Sequence, residues 1–139
     1  MDPEIKIRGY HTDLYGHVNN ARYLEFLEEG RWQVLEDSMD LKDFMGRGFL
    51  FFVVNINISY LSQAWVNNLV SVRSGLGKIG NKSAVIRQQV LNKTTGKICA
   101  SADVTFVISD SGGKALKLEG ELLEILRQVP DFEDGAAGE

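Results

Sequence analysis

Apolar and polar positions change period along this chain, and the changes mark its elements. Ile5 and Ile7 alternate with Lys6 and Arg8, which predicts a short half-buried strand. Gly9 to Val18 keeps neither period and reads as a loop. Tyr23, Phe26, Leu27, Gly30, Val34 and Leu35 then recur at spacings of three and four, one face of a long helix. Asn19 and Asn20 stand just before it and are good N-cap residues. Leu24 and Trp32 carry apolar character beyond a single stripe, while Glu25, Glu28, Glu29 and Glu36 form a charged ridge. The pattern predicts a helix largely enclosed by other structure. Gly30 weakens a helix interior, so a close backbone approach is expected there.

Leu41 to Met45 predicts a short second helix, ended by Gly46 and Gly48. From Phe49 the period becomes two. Phe49 to Leu61, Asn67 to Lys78, Lys82 to Asn92 and Lys97 to Ser109 read as strands, with turn signals at Gly80-Asn81 and Thr95-Gly96. Glu119 to Val129 predicts a C-terminal helix that Pro130 stops. Strands joined by tight turns pair antiparallel. The expected architecture is α+β, with one antiparallel sheet curled around the long helix. Residues 1–129 form the domain, and 130–139 read as a flexible acidic tail.

Charge and composition narrow the function. Among 139 residues, 15 Lys plus Arg face 19 Asp plus Glu, a net charge of −4. That balance argues against nucleic acid as a partner. An anionic ligand would need a local cluster, and Arg73, Lys78, Lys82 and Arg87 are candidates, each equally an ordinary solvated charge. The apolar run Phe49 to Val54 is too short for membrane insertion, and the N-terminus lacks a signal-peptide core. The lone thiol, Cys99, reads as buried and inert and suits a reducing, cytoplasmic setting. Two histidines and one cysteine fit no zinc spacing, so no metal and no cofactor are expected. A Gly-x-Ser-x-Gly elbow is missing too.

The chemistry concentrates in Tyr10 to Tyr23. Both histidines, His11 and His17, lie there, just before the long helix. A helix start offers unpaired N–H groups and a positive dipole end, which stabilise a developing oxyanion. Asp13 on the approaching loop suits acyl transfer, as a nucleophile or as the base that activates water. Composition alone favours a plainer role for Asp13, an Asx-turn bonding its own backbone. His17 serves equally as a residue that fixes the loop, and Asn19 and Asn20 as caps.

The block Asp13-x-x-Gly16-His17-Val18-Asn19-Asn20-x-x-Tyr23 resembles the signature of hotdog-fold acyl-CoA thioesterases of the 4-hydroxybenzoyl-CoA thioesterase-like branch. The likeness continues through Glu28-Glu29-Gly30-Arg31 and Phe52 to Tyr60, and covers Ile5 to about Leu126. Within the branch the chain is most similar to bacterial long-chain acyl-CoA thioesterases. The resemblance implies a hotdog fold and hydrolysis of long-chain acyl-CoA to fatty acid and CoA. It implies that Asp13 is the catalytic carboxylate and that a backbone N–H near Asn20 polarises the thioester carbonyl. Gly16 would let the loop pass close to substrate, and Tyr23 would line the acyl pocket. Tyr15, His17 and Asn19 are placed at the substrate site without an assigned step. Glu25 and Glu29, one turn apart on the helix, read as a solvated ridge.

The same likeness implies a homodimer joined at sheet edges, or a homotetramer, with active sites at subunit boundaries. Two other readings remain open. An enoyl-CoA hydratase of this fold would have four residues between its Asp and His, where Asp13 and His17 have three. A non-catalytic acyl-ligand binding module is the other.

Overall fold

The computed structural model describes residues 1–134. Its elements are β1 (Glu4–Lys6), a 3-10 turn (Gly9–His11), α1 (Asn20–Ser38), α2 (Leu41–Gly46), β2 (Leu50–Tyr60), β3 (Leu69–Ile79), β4 (Ser83–Asn92), β5 (Lys97–Ser109) and α3 (Gly120–Leu126). Burial along β4 follows the period of two. Ala84, Ile86, Gln88, Val90 and Asn92 are buried, and the residues between them are half-buried.

All strand pairs are antiparallel, in the order β1-β3-β4-β5-β2. α1 lies across β3 and β4. Its first half sends Tyr23, Phe26 and Leu27 into a core with Ile7, Val18, Val72, Val90 and Cys99. Its second half sends Leu35 into another, where Phe44 of α2 and Leu122 and Leu126 of α3 meet Ile86, Phe106 and Ile108. Each large apolar side chain so buried contributes about 1.5–3 kcal/mol.

Between the two cores stands a polar node. Gly30 is so close to the sheet that a β-carbon there would lie 2.5 Å from Val72 Cγ1 and 2.9 Å from Gln88 Nε2. The close approach expected of Gly30 is therefore real. Gln88, fully buried, donates through Nε2 to the Leu27 carbonyl and to Ser74 Oγ, both at 2.8 Å. Arg31 Nη1 donates to Gln88 Oε1 at 3.1 Å.

Three features depart from the sequence expectation. β2 and β3 do not form a hairpin: residues 61–68 carry the chain from the β2 edge back to the β3 side of the sheet. The alternation along β2 resets at a bulge between Val53 and Asn55, which leaves Val54 out of the ladder. The acidic segment does not fray at residue 130. Leu76 N–H donates to the Pro130 carbonyl at 2.7 Å, and Phe132 N–H to the Leu76 carbonyl at 2.9 Å. Arg73 lies over the Phe132 ring and bonds the Glu133 carbonyl. Residues 130–132 thus pair along the β3 edge, Asp134 faces Arg87 of β4, and the rest of the expected tail, 135–139, lies outside the described residues.

The two sheet edges differ as a result. β1, Pro3 and residues 130–132 cover β3. Among the described residues nothing covers β2, whose Phe52, Val53 and Val54 are exposed.

Candidate active site

Residues 11–19 close on themselves before α1 begins. Thr12 and Val18 form an antiparallel bridge, Asp13 N–H donates to the His17 carbonyl at 3.0 Å, and Asn19 N–H to the His11 carbonyl at 2.9 Å. The tip is a β-turn in which Gly16 N–H reaches the Asp13 carbonyl at 3.1 Å. Gly16 has φ +84°, a left-handed value that glycine adopts without strain. This turn explains Gly16 before any substrate is considered.

Asp13 does form an Asx-turn: Tyr15 N–H donates to Oδ1 at 2.8 Å. The same bond fixes the carboxylate and leaves Oδ2 free, 3.7 Å from His17 Nδ1. The Asp13 side chain keeps 27% of its surface exposed, so a ligand can reach it. His17 is held between two aromatics, stacked at 6.0 Å on Tyr15 and edge-on at 5.4 Å to Trp65. Tyr15 and Leu14 project outward at 74% and 94% exposure.

The start of α1 is capped as its sequence predicts. Asn19 Oδ1 accepts from Ala21 N–H at 2.9 Å, and the Asn19 carbonyl accepts from Arg22 N–H. Asn20 N–H, the first of the helix, has no acceptor among the described residues, and Asn20 is an exposed residue. The Tyr60 hydroxyl donates to the Asn20 carbonyl at 3.3 Å, tying the end of β2 to this helix start. Val18 N–H donates to the Ala64 carbonyl, so residues 61–68 form the loop's other wall.

The structure therefore gathers Asp13, Tyr15, Gly16, His17, Asn19 and Asn20 on one accessible loop and cap. It separates Tyr23 from them. Tyr23 is only 3% exposed and packs edge-on against Phe26 and Tyr60. Burial pushes its phenol above the ordinary range, and the neighbouring Cys99 adds to this. Tyr23 supports the helix start from behind and presents no surface to a ligand within one chain. His11 is likewise structural: Nδ1 accepts Arg8 N–H at 2.8 Å, and burial, then Arg22, lowers its pKa. Burial raises the Cys99 thiol, as its place in β5 predicts. Glu25 pairs with Arg22 at 2.8 Å on the surface.

Sequence reasoning missed two parts of this region. One is the wall made by Tyr60 and Trp65. The other is a cavity of about 410 Å3 between the middle of α1 and β2, β4 and β5. That size is within the range of small-ligand sites, about 300–1,000 Å3. Phe51, Val53, Ile56 and Phe106 give it an apolar floor, and Trp32 and Met45 its rim. Glu28 and Arg31 are the charged residues that line it among the described residues. Four residues of β2 line the cavity, and no residue of the Asp13 loop does. The expectation of a largely enclosed helix does not hold, because Leu24 and Trp32 are exposed at 39% and 43% and only one stripe of α1 is buried.

Residues 7–136 match the thioesterase-like superfamily, and the chain belongs to it. It is 46% identical over 130 residues to the long-chain acyl-CoA thioesterase FadM of Escherichia coli, covering 93% of this chain and 98% of that protein. The crystal structure of YbaW, a probable thioesterase from Escherichia coli, superposes with a TM-score of 0.85 at 46% identity, over 92% of this chain and 97% of that one. A 4-hydroxybenzoyl-CoA thioesterase mutant bound to 4-hydroxybenzoyl-CoA shares the fold, with a TM-score of 0.80 at 18% identity over 91% of this chain and 97% of that one. The curled antiparallel sheet around α1 is the hotdog fold.

Proposed function

We propose that this protein hydrolyses long-chain acyl-CoA thioesters to fatty acid and CoA. The observation that carries the reading is a fixed carboxylate, Asp13, on the loop that leads into an unpaired helix-start amide, Asn20 N–H. Asn20 N–H would receive the thioester carbonyl and hold the charge that builds on its oxygen. Asp13 Oδ2 then acts in one of two ways. It attacks the carbonyl carbon, CoA leaves as thiolate, and water cleaves the acyl anhydride; or it takes a proton from a water that attacks directly. Both routes consume one water and need no cofactor. Tyr15, Gly16, His17 and Asn19 would border the thioester, with Tyr23 behind them.

The unlike sheet edges support a homodimer built through β2. A two-fold axis through Asn55, the middle of β2, would set Tyr60 of one copy beside Leu50 of the other. Tyr60 is bonded to the helix start, and Leu50 lines the cavity. Each active site would then combine Asp13 and Asn20 of one copy with the cavity of the other. A dimer of dimers is compatible with the same edge. The lone buried thiol agrees with a reducing cytoplasm.

The test is free-thiol release from acyl-CoAs of graded length. Release that rises with chain length supports the reading, and tight binding without release turns it toward a binding module. The 3.7 Å approach of Asp13 and His17 is the one feature that favours a hydratase, and water addition to an enoyl-CoA would reveal it.

A further inference from the structure

The charged corner of the α1 cavity has no role in the chemistry above. Arg31 and Glu28 are three residues apart on one face of α1 and line a cavity that is otherwise apolar at its floor. Arg31 has one acceptor, the neutral Gln88 Oε1, and no carboxylate within 4.0 Å among the described residues. Among the described residues its remaining N–H groups have no partner. Glu28 Oε2 accepts from Trp32 Nε1 at 3.3 Å, which leaves its other oxygen unbonded. The same apolar space is thus lined by a donor on the half-buried Arg31 and an acceptor on the exposed Glu28.

A plain alkyl chain filling this space would strip water from the half-buried Arg31 and return nothing to it. A carboxylate on the chain would bond Arg31 but meet the charge of Glu28. A hydroxyl fits both, because its oxygen accepts from the guanidinium while its hydrogen goes to the carboxylate. We propose that Arg31 and Glu28 select acyl chains carrying a hydroxyl group remote from the thioester, so that hydroxyacyl-CoAs are the preferred long-chain substrates. This rests on the thioesterase reading for turnover, but the corner's preference for a hydroxyl is a binding property of its own.

The experiment compares CoA thioesters of one chain length, unsubstituted or with a hydroxyl stepped along the chain. One remote position should exceed the unsubstituted chain in kcat/KM by at least about tenfold. Arg31→Met should bring that ratio to about one. A ratio measured on one variant cancels any loss of folded protein. The inference is overturned if no hydroxyl position exceeds the plain chain, or if Arg31→Met leaves the ratio intact. Binding of the matching free hydroxy acid and plain acid, read from the fluorescence of Trp32 at the cavity rim, gives the same comparison without turnover. Should no thioester be cleaved, the thioesterase reading fails; the hydroxyl preference then stands or falls on that binding ratio.

Discussion

Gln88 of β4 donates its side-chain amide to the carbonyl of Leu27, 2.8 Å away in the middle of α1. That carbonyl already sits inside a helix, so the bond serves to dock α1 on the sheet. The same amide group holds Ser74 and Arg31, and Gly30 makes room for it. Replacing Gln88 with Leu keeps the approximate volume and removes every one of these bonds. The expected loss of stability is about 1–2 kcal/mol, since three hydrogen bonds go and one of them is to a charged group. A urea melt of Gln88→Leu beside the wild type measures it through a lower midpoint at unchanged slope.

His11 makes stability depend on pH. In the folded chain burial depresses its pKa below the ordinary 6.5, and Arg8 N–H occupies Nδ1. The unfolded chain therefore binds a proton at a higher pH than the folded one. Stability is full above about pH 6.5 and falls as the pH drops below it. Thermal melts between pH 7.5 and 5 should show this fall, and His11→Asn should flatten it, because its amide oxygen still accepts Arg8 N–H and does not titrate.

If each site joins Asp13 of one copy to the cavity of the other, two inactive variants can rescue each other. Asp13→Asn removes the carboxylate, and Met45→Trp fills the cavity rim. In a mixed dimer one site collects both defects and the other collects none. Mixing the two after dissociation should restore roughly half the activity per mixed dimer, by the geometry of a two-fold assembly. Sites contained within single chains would give no recovery.

Much of this was legible in the sequence, and the reasons differ by element. Asp13, Gly16 and Asn19 act through bonds within a few residues, so the turn, the Asx bond and the cap are local and readable. Strands β3 to β5 announce themselves by period. The β2-to-β3 crossing does not, because a hairpin and a crossing leave the same alternation in each strand. Residues 130–132 look like a tail, since their order comes from β3 rather than from their own pattern. Tyr23 belongs equally to a core and to a pocket at its spacing, and only the packed fold decides. Gln88 is a polar position on the mostly apolar buried face of β4, but the Arg31 it bonds is 57 residues away, so the pairing is not readable locally.

The central claim is that the Asp13 carboxylate performs the chemistry on a thioester bound at the Asn20 amide. Thiol release by Asp13→Asn from a long-chain acyl-CoA tests it most directly, since the amide keeps the Tyr15 N–H bond but neither attacks nor accepts a proton. The account predicts kcat lower by at least about a hundredfold with KM little changed. A variant that retains kcat within about twofold of wild type would contradict it.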